Sequence, residues 1–204
     1  MFRNNLELIV GPVCSGKSGE LIRRVDRLNI AGYNVLLVKP RLDTRNPSIK
    51  SRNGSELKCI SLEKAEDVFD VIFDESLDRN KSIDIIAFDE GQFFSDIYET
   101  AKKLVKQEYK VCVSALDTDF NGEPFGDIPK LMTLSDSVTK LTAVCMECGS
   151  DHAIYSQKLK KGGGTIEVGD LELYHPRCVN CFVEGGIDIT EEQSNGSRKV
   201  KRVL

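Results

Sequence analysis

Eight consecutive residues constrain this chain more than any others: Gly11-Pro12-Val13-Cys14-Ser15-Gly16-Lys17-Ser18. They fit the pattern G-x-x-x-x-G-K-[ST] in full. A short apolar run, Leu6-Glu7-Leu8-Ile9-Val10, precedes them and a helical pattern follows. A strand that turns through glycines into a helix brings backbone N–H groups and the positive end of the helix dipole to one point, which suits a phosphate. Lys17 is expected to reach the terminal phosphates of a nucleotide, and Ser18 to offer its hydroxyl to Mg²⁺. The plainer reading, a glycine turn ahead of an ordinary helix, does not account for the whole pattern in this setting.

The rest of the first two-thirds repeats the alternation. Leu21, Ile22, Val25 and Leu28 give residues 17–31 one apolar helical face, and Gly32 stops it. A second strand is expected at 35–38, ended by Pro40, and a polar loop at 41–55 with Asn-Pro and Asn-Gly breaks. Ser61 is expected to cap a helix with Leu62, Ala65, Val68, Phe69, Ile72 and Phe73 on its apolar face. Strands follow at 83–88 and 111–113, with a helix at 95–108 between them. Near-continuous apolar strands separated by helices predict an α/β fold, a parallel sheet of the P-loop NTPase kind with helices on both faces.

Asp89-Glu90 closes the third strand. An aspartate after an apolar strand suits a Mg²⁺ held through water, and Glu90 is placed to act on a nucleophile. Two carboxylates there also begin any solvated loop; the company of a full phosphate loop favours the chemical reading.

Cysteine usage marks a second region. Cys14, Cys59 and Cys112 stand alone, whereas Cys145-Met-Glu-Cys148 and Cys178-Val-Asn-Cys181 form two C-x-x-C pairs. Such pairs suit a closed tetrahedral Zn²⁺ site, with four free thiols as the alternative. His175, three residues before Cys178, is spaced to replace one thiolate, but four thiolates already fill a tetrahedron. Between the pairs, residues 158–174 hold Gly162-Gly163-Gly164, an apolar stretch near Ile166 and Val168, and Tyr174. This segment reads as a loop pinned at both ends, able to close over a small molecule or to remain ordinary surface. Phe120 and Phe125 flank a further polar loop. The expected division is 1–141 for the α/β domain, 142–190 for a zinc-binding lobe, and 191–204 for a polar and basic mobile tail.

Composition narrows the function classes. With 28 Lys+Arg against 32 Asp+Glu the net charge is −4, which argues against a grip on long nucleic acid. No apolar run approaches the roughly 20 residues needed to span a bilayer. Met1 to Asn5 leads straight into a strand without a signal-like apolar stretch. A cytoplasmic protein without membrane or nucleic-acid partners is expected.

These residues, taken in order, resemble the type II thymidine kinases. The resemblance rests on Gly11 to Ser18, Lys39-Pro-Arg-Leu-Asp43-Thr-Arg45, Asp89-Glu90-Gly91-Gln92-Phe93-Phe94, Ala115-Leu-Asp-Thr-Asp-Phe120 and Glu123-Pro-Phe125-Gly126. It continues through Ser137-Val-Thr-Lys-Leu141, Cys145 to Cys148 and Tyr174-His-Pro-Arg-Cys178-Val-Asn-Cys181, so it spans about residues 6–182. It implies an enzyme that transfers the γ-phosphoryl group of ATP to the 5′-hydroxyl of thymidine. It also implies Mg²⁺ with ATP, a structural Zn²⁺, a homotetramer and feedback inhibition by dTTP. By position Glu90 corresponds to the catalytic base, Asp89 to the Mg²⁺-linked aspartate, and Asp43 and Arg45 to residues near the donor phosphates. Phe120, Ser156 and Tyr174 correspond to nucleoside contacts. Thr165, Ile166, Glu167, Val168 and Gly169 correspond to a lasso stretch that hydrogen-bonds the thymine edge.

Two departures stand out. The family usually carries Met-Phe where this chain has Val13-Cys14, which implies a looser base pocket. Gly19 replaces the usual residue after Ser18, at a cost of about 1 kcal/mol against alanine if that turn is helical. Two other classes compete: a P-loop ATPase with a nucleic-acid-binding zinc ribbon, and an inactive nucleotide-binding module. The acidic balance weighs against the first, despite the basic run Arg198-Lys199-Val200-Lys201-Arg202. The intact motifs weigh against the second.

Overall fold

Four strands in which nearly every residue is buried set the architecture. These are β1 (Leu6–Val10), β2 (Val35–Pro40), and two further strands at Ile85–Phe88 and Lys110–Ala115. Successive side chains of a strand point to opposite faces, so a strand buried at consecutive positions is covered on both sides. The computed structural model describes residues 5–44, 48–50, 54–74, 82–160 and 171–183. Within it the elements run β1, α1 (Lys17–Ile30), β2, β3 (Ser48–Lys50), β4 (Glu56–Lys58), β5 (Ile60–Leu62), α2 (Val68–Ile72) and β6 (Ile85–Phe88). They continue with α3 (Ile97–Lys106), β7 (Lys110–Ala115), α4 (Ile128–Leu134), β8 (Ser137–Lys140), β9 (Tyr155–Lys158) and β10 (Tyr174–Arg177).

Six strands form one sheet in the order β5-β2-β6-β7-β1-β8, with every pairing parallel. The expected parallel α/β sheet is therefore present. Parallel pairing puts the carboxyl ends of β1, β2, β6 and β7 on one edge, and the residues that follow those ends are Gly11, Arg41, Asp89 and Leu116. Ligands of open α/β sheets gather along that edge. Helix α3 buries Ile97, Ala101 and Leu104, spaced i, i+4 and i+7, so one stripe faces the core. Phe88 and Phe94 meet edge to face with centroids 5.8 Å apart in that core.

The structure departs from expectation between residues 41 and 74. The loop expected at 41–55 contains β3, which pairs antiparallel with β4 in a short hairpin. Ser61 does not cap a helix; it lies in β5, where it pairs with Lys39 of β2. The helical segment begins only with a 3₁₀ turn at Ala65–Asp67. Asp96 supplies its caps instead, accepting from the Ala65 and Glu66 N–H groups at 3.0 and 2.9 Å. The segment pairs with β2 at the edge of the sheet, and a carboxylate distant in sequence replaces the local hydroxyl.

The chain divides into two compact units. One comprises Met1–Val10, Gly16–Asp117 and Pro124–Lys140; the other comprises Gly11–Ser15, Thr118–Glu123 and Leu141–Leu204. Among its described residues the second contains the antiparallel pair β9–β10 and a small cluster of Ala143, Cys145, Ala153 and Cys178.

Candidate functional site

In the first unit, Gly16 holds the N-cap position of α1 in the left-handed conformation, φ 88, and no side chain caps the helix. A Cβ on Gly16 would meet nothing within 4 Å, so glycine is needed there for its backbone and not for space. Lys17 and Ser18 begin the helix, and Lys17 is buried. The Ser18 hydroxyl donates to Asp89 Oδ1 at 3.3 Å, joining the start of α1 to the end of β6. Ser114, in the neighbouring strand β7, donates to the same oxygen. Burial and the adjacent Glu90 push the Asp89 carboxyl up to about 6, against the pull of those two hydroxyls and Lys17. A carboxylate so disfavoured by its surroundings is primed for a cation.

Glu90 lies in the left-handed region, φ 52, which is rare for a side chain of its size. Gly91 follows because a Cβ there would come within 2.6 Å of Val113 Cγ1. Gln92 is buried; its Nε2 donates to Glu90 Oε2 at 2.7 Å, and its Oε1 accepts the Leu116 N–H at 2.9 Å. At the end of β2, buried Lys39 donates to the Asp43 carbonyl at 2.8 Å and lies 3.9 Å from its carboxylate. Arg45 lies outside the described residues.

In the second unit, Gly11 has φ 149, and a Cβ would come within 2.4 Å of the Leu141 carbonyl oxygen. Pro12 is buried, Cys14 has φ 64, and the Ser15 N–H reaches the Pro12 carbonyl at 3.4 Å. The Val13 N–H donates to Ser156 Oγ at 3.0 Å, so the loop is tied to β9. Tyr174 of β10 pairs in register with Lys158 of β9, and the Lys158 ammonium lies 4.8 Å from the Phe120 ring centre. The Phe120 turn is built locally. Asp119 accepts from the Asn121 and Glu123 N–H groups, and Gly122, φ 82, sits against Phe182 and Tyr155. Phe120, Ser156 and Tyr174 thus share this unit. Thr165, Ile166, Glu167, Val168 and Gly169 lie outside the described residues.

The sulfurs of Cys145, Cys148, Cys178 and Cys181 all lie within 4.8 Å of one another, and Cys148 and Cys178 are 3.7 Å apart. Tetrahedral Zn–S bonds of about 2.3 Å require sulfurs about 3.8 Å apart, so the donor set fits Zn²⁺. Burial would raise the Cys145 thiol, but backbone N–H groups of Cys148, Cys178 and Glu147 overturn that and hold it at about 6. Burial and the neighbouring sulfurs push Cys181 up to about 12. The set loses its first proton easily and its last with difficulty, and a dication removes that difficulty. Among the described residues, this metal-binding group contains no histidine.

Gln92, Ser114 and Lys39 were not singled out from sequence as working residues. The available signal was a polar residue within or directly after an apolar strand, and for Gln92 its place two residues beyond a candidate base. Among the described residues no helix is long and apolar enough to cross a membrane.

The family model described as thymidine kinase matches residues 4–182. The chain is 41% identical over 183 residues to a thymidine kinase of Ureaplasma urealyticum serovar 10, covering 85% of this chain and 80% of that one. It is 39% identical over 186 residues to a thymidine kinase of Ureaplasma parvum serovar 3, with the same coverage.

Proposed function

This chain belongs to the thymidine kinase family and is an ATP-dependent kinase of thymidine, and we propose that it transfers the γ-phosphoryl group in line with Glu90 as the base. Glu90 takes the proton of the thymidine 5′-hydroxyl. The O5′–phosphorus bond forms as the bond to the departing ADP oxygen breaks. Lys17, those backbone N–H groups of the phosphate loop that the protein does not itself use, and Arg45 carry the charge that spreads over the transferred group, with Asp43 beside them. Most of the rate then comes from positioning and electrostatics. Mg²⁺ bound with ATP supplies neutralisation at the phosphate oxygens, and Ser18 and Asp89 are the residues to hold it. The Ser18–Asp89 hydrogen bond is the observation that carries this reading, because it unites two motifs 71 residues apart at one point.

Thymidine recognition belongs to Phe120, Ser156, Tyr174 and the stretch Thr165 to Gly169. The four cysteines hold a structural Zn²⁺ that pins the flanks of that stretch. In this reading residues 1–141 carry the donor chemistry, 142–190 the zinc lobe, and 191–204 a tail. Family membership further supports a homotetramer in the cytoplasm, inhibited by dTTP.

Glu90→Gln tests the base. ATP binding should persist, while the single-turnover rate with saturating thymidine falls about 10²–10⁴-fold. A loss below tenfold would remove Glu90 from the role. The same assay excludes a hydrolase or an inactive module if thymidine gains the phosphate.

A further inference from the structure

Glu90 is constrained both in its backbone and at its carboxylate. Its backbone occupies the left-handed region, a conformation that persists only where the surroundings over-determine it. Gly91 passes so close to Val113 that no side chain fits. Gln92 then turns its buried amide back toward Glu90. The orientation of that amide is unambiguous: a backbone N–H can only donate and a carboxylate can only accept. Its oxygen must therefore face Leu116 and its NH₂ must face Glu90, as the distances of 2.9 and 2.7 Å have it.

We propose that Gln92 is the positioning residue for Glu90, carrying the fixed backbone at the end of β7 through one side-chain amide to the base. The inference rests on Glu90 being that base. A glutamate has three rotatable side-chain bonds, and holding it in one rotamer spares the transition state that ordering. The same strand end also fixes Asp89 through Ser114. Strand β7 therefore orients both carboxylates that follow β6.

The test is a double-mutant cycle in the full chain, read by single-turnover transfer with ATP, Mg²⁺ and thymidine. Gln92→Glu keeps an oxygen for the Leu116 N–H and removes the donor to Glu90; Gln92→Met removes both. Both should lower the transfer rate about 10–10²-fold, the scale expected when a reacting group is misplaced by about 1 Å. KM for thymidine and for ATP should stay within about threefold; Gln92→Glu also sets a second carboxylate against Glu90 in a buried position, so its melting point should fall while its KM values hold. In the background of Glu90→Gln, either substitution should cost less than threefold further, because Gln92 then has no base to position. If Gln92→Met fails to fold, Gln92→Glu carries the test alone. Wild-type rate in Gln92→Glu, or a full additional loss on top of Glu90→Gln, overturns the inference. If Glu90→Gln itself keeps the rate, the base assignment has failed instead.

Discussion

The Val13 N–H donates to the Ser156 hydroxyl at 3.0 Å, fastening a residue of the phosphate loop to strand β9. One of the loop's N–H groups is thereby spent on protein, and the loop conformation depends on a hydroxyl 143 residues away. Ser156→Ala leaves that donor without its partner. The expected cost is about 1–2 kcal/mol, or a drop of about 2–8 °C in melting point for a chain of this size. Ser156→Thr keeps the hydroxyl and should stay within about 1 °C of wild type. Thermal unfolding of the three proteins decides it; equal melting points for Ala and Thr would show that the bond contributes nothing.

The two loop glycines are required for different reasons, and their alanine variants should differ accordingly. A Cβ at Gly11 lands on a backbone oxygen at 2.4 Å, which cannot yield cheaply, whereas Gly16 has open space and a left-handed φ. Gly16→Ala should cost about 1–2 kcal/mol from strain alone. Gly11→Ala should cost more and should weaken ATP binding by at least tenfold. Calorimetric titration with ATP and chemical denaturation rank the two; the reverse order would contradict the packing at Leu141.

Asp89 should trade stability for function. Its carboxyl is raised from 3.8 to about 6, so between those values the folded protein holds the proton that the unfolded chain has released. Stability from this group therefore falls as pH rises through that window, and the full penalty is present at pH 7. Asp89→Asn keeps an oxygen for Ser18 and Ser114 but carries no charge. In EDTA it should be more stable than wild type by roughly 1–3 kcal/mol at pH 7.5, with a smaller gain at pH 5, and it should lose transfer activity. A gain that shrinks with rising pH would reverse the sign of the argument.

What could be read from sequence, and what could not, follows from how far each feature reaches along the chain. Strand β1, the phosphate loop and helix α1 are contiguous, and their pattern is written in neighbouring residues. Asp89 and Glu90 were legible because they end an apolar run. The β3–β4 hairpin was hidden because each strand has three residues, with Asn-Pro and Asn-Gly nearby that read as loop. Ser114 and Gln92 were hidden for another reason. Their partners lie 25 and 24 residues away, and only the β6–β7 register, Phe88 beside Val113, brings them together. Asp96 replaced Ser61 as a cap for the same reason, since it acts across 31 and 30 residues.

The purified protein should carry about one Zn²⁺ per chain on Cys145, Cys148, Cys178 and Cys181. Removal by a strong chelator should release four titratable thiols and abolish thymidine binding while leaving most far-ultraviolet dichroism, because the six-stranded sheet uses none of these sulfurs. Cys148→Ser should reproduce the chelated state. Metal analysis that finds no zinc, with all four thiols reactive in the native protein, would refute the site.

Position 13 offers the sharpest test of the acceptor pocket. The resemblance to type II thymidine kinases implies methionine there, and this chain has a half-buried valine whose N–H is held by Ser156. With the backbone fastened, a longer side chain alters what projects from the loop and not the loop itself. Val13→Met adds roughly one methylene and a polarizable sulfur suited to a flat ring. A change of that size in an apolar pocket is worth about 1–3 kcal/mol, so thymidine should bind about 10–100-fold tighter. ATP affinity should move less than threefold, because phosphate contacts through backbone N–H groups do not involve this side chain. If a neighbour already fills the space, the added atoms overpack it and thymidine binding weakens. Calorimetry with thymidine and with ATP, at one ionic strength and with melting points in hand, separates the two. Equal or weaker thymidine affinity in a folded methionine variant would mean that the pocket is closed without it.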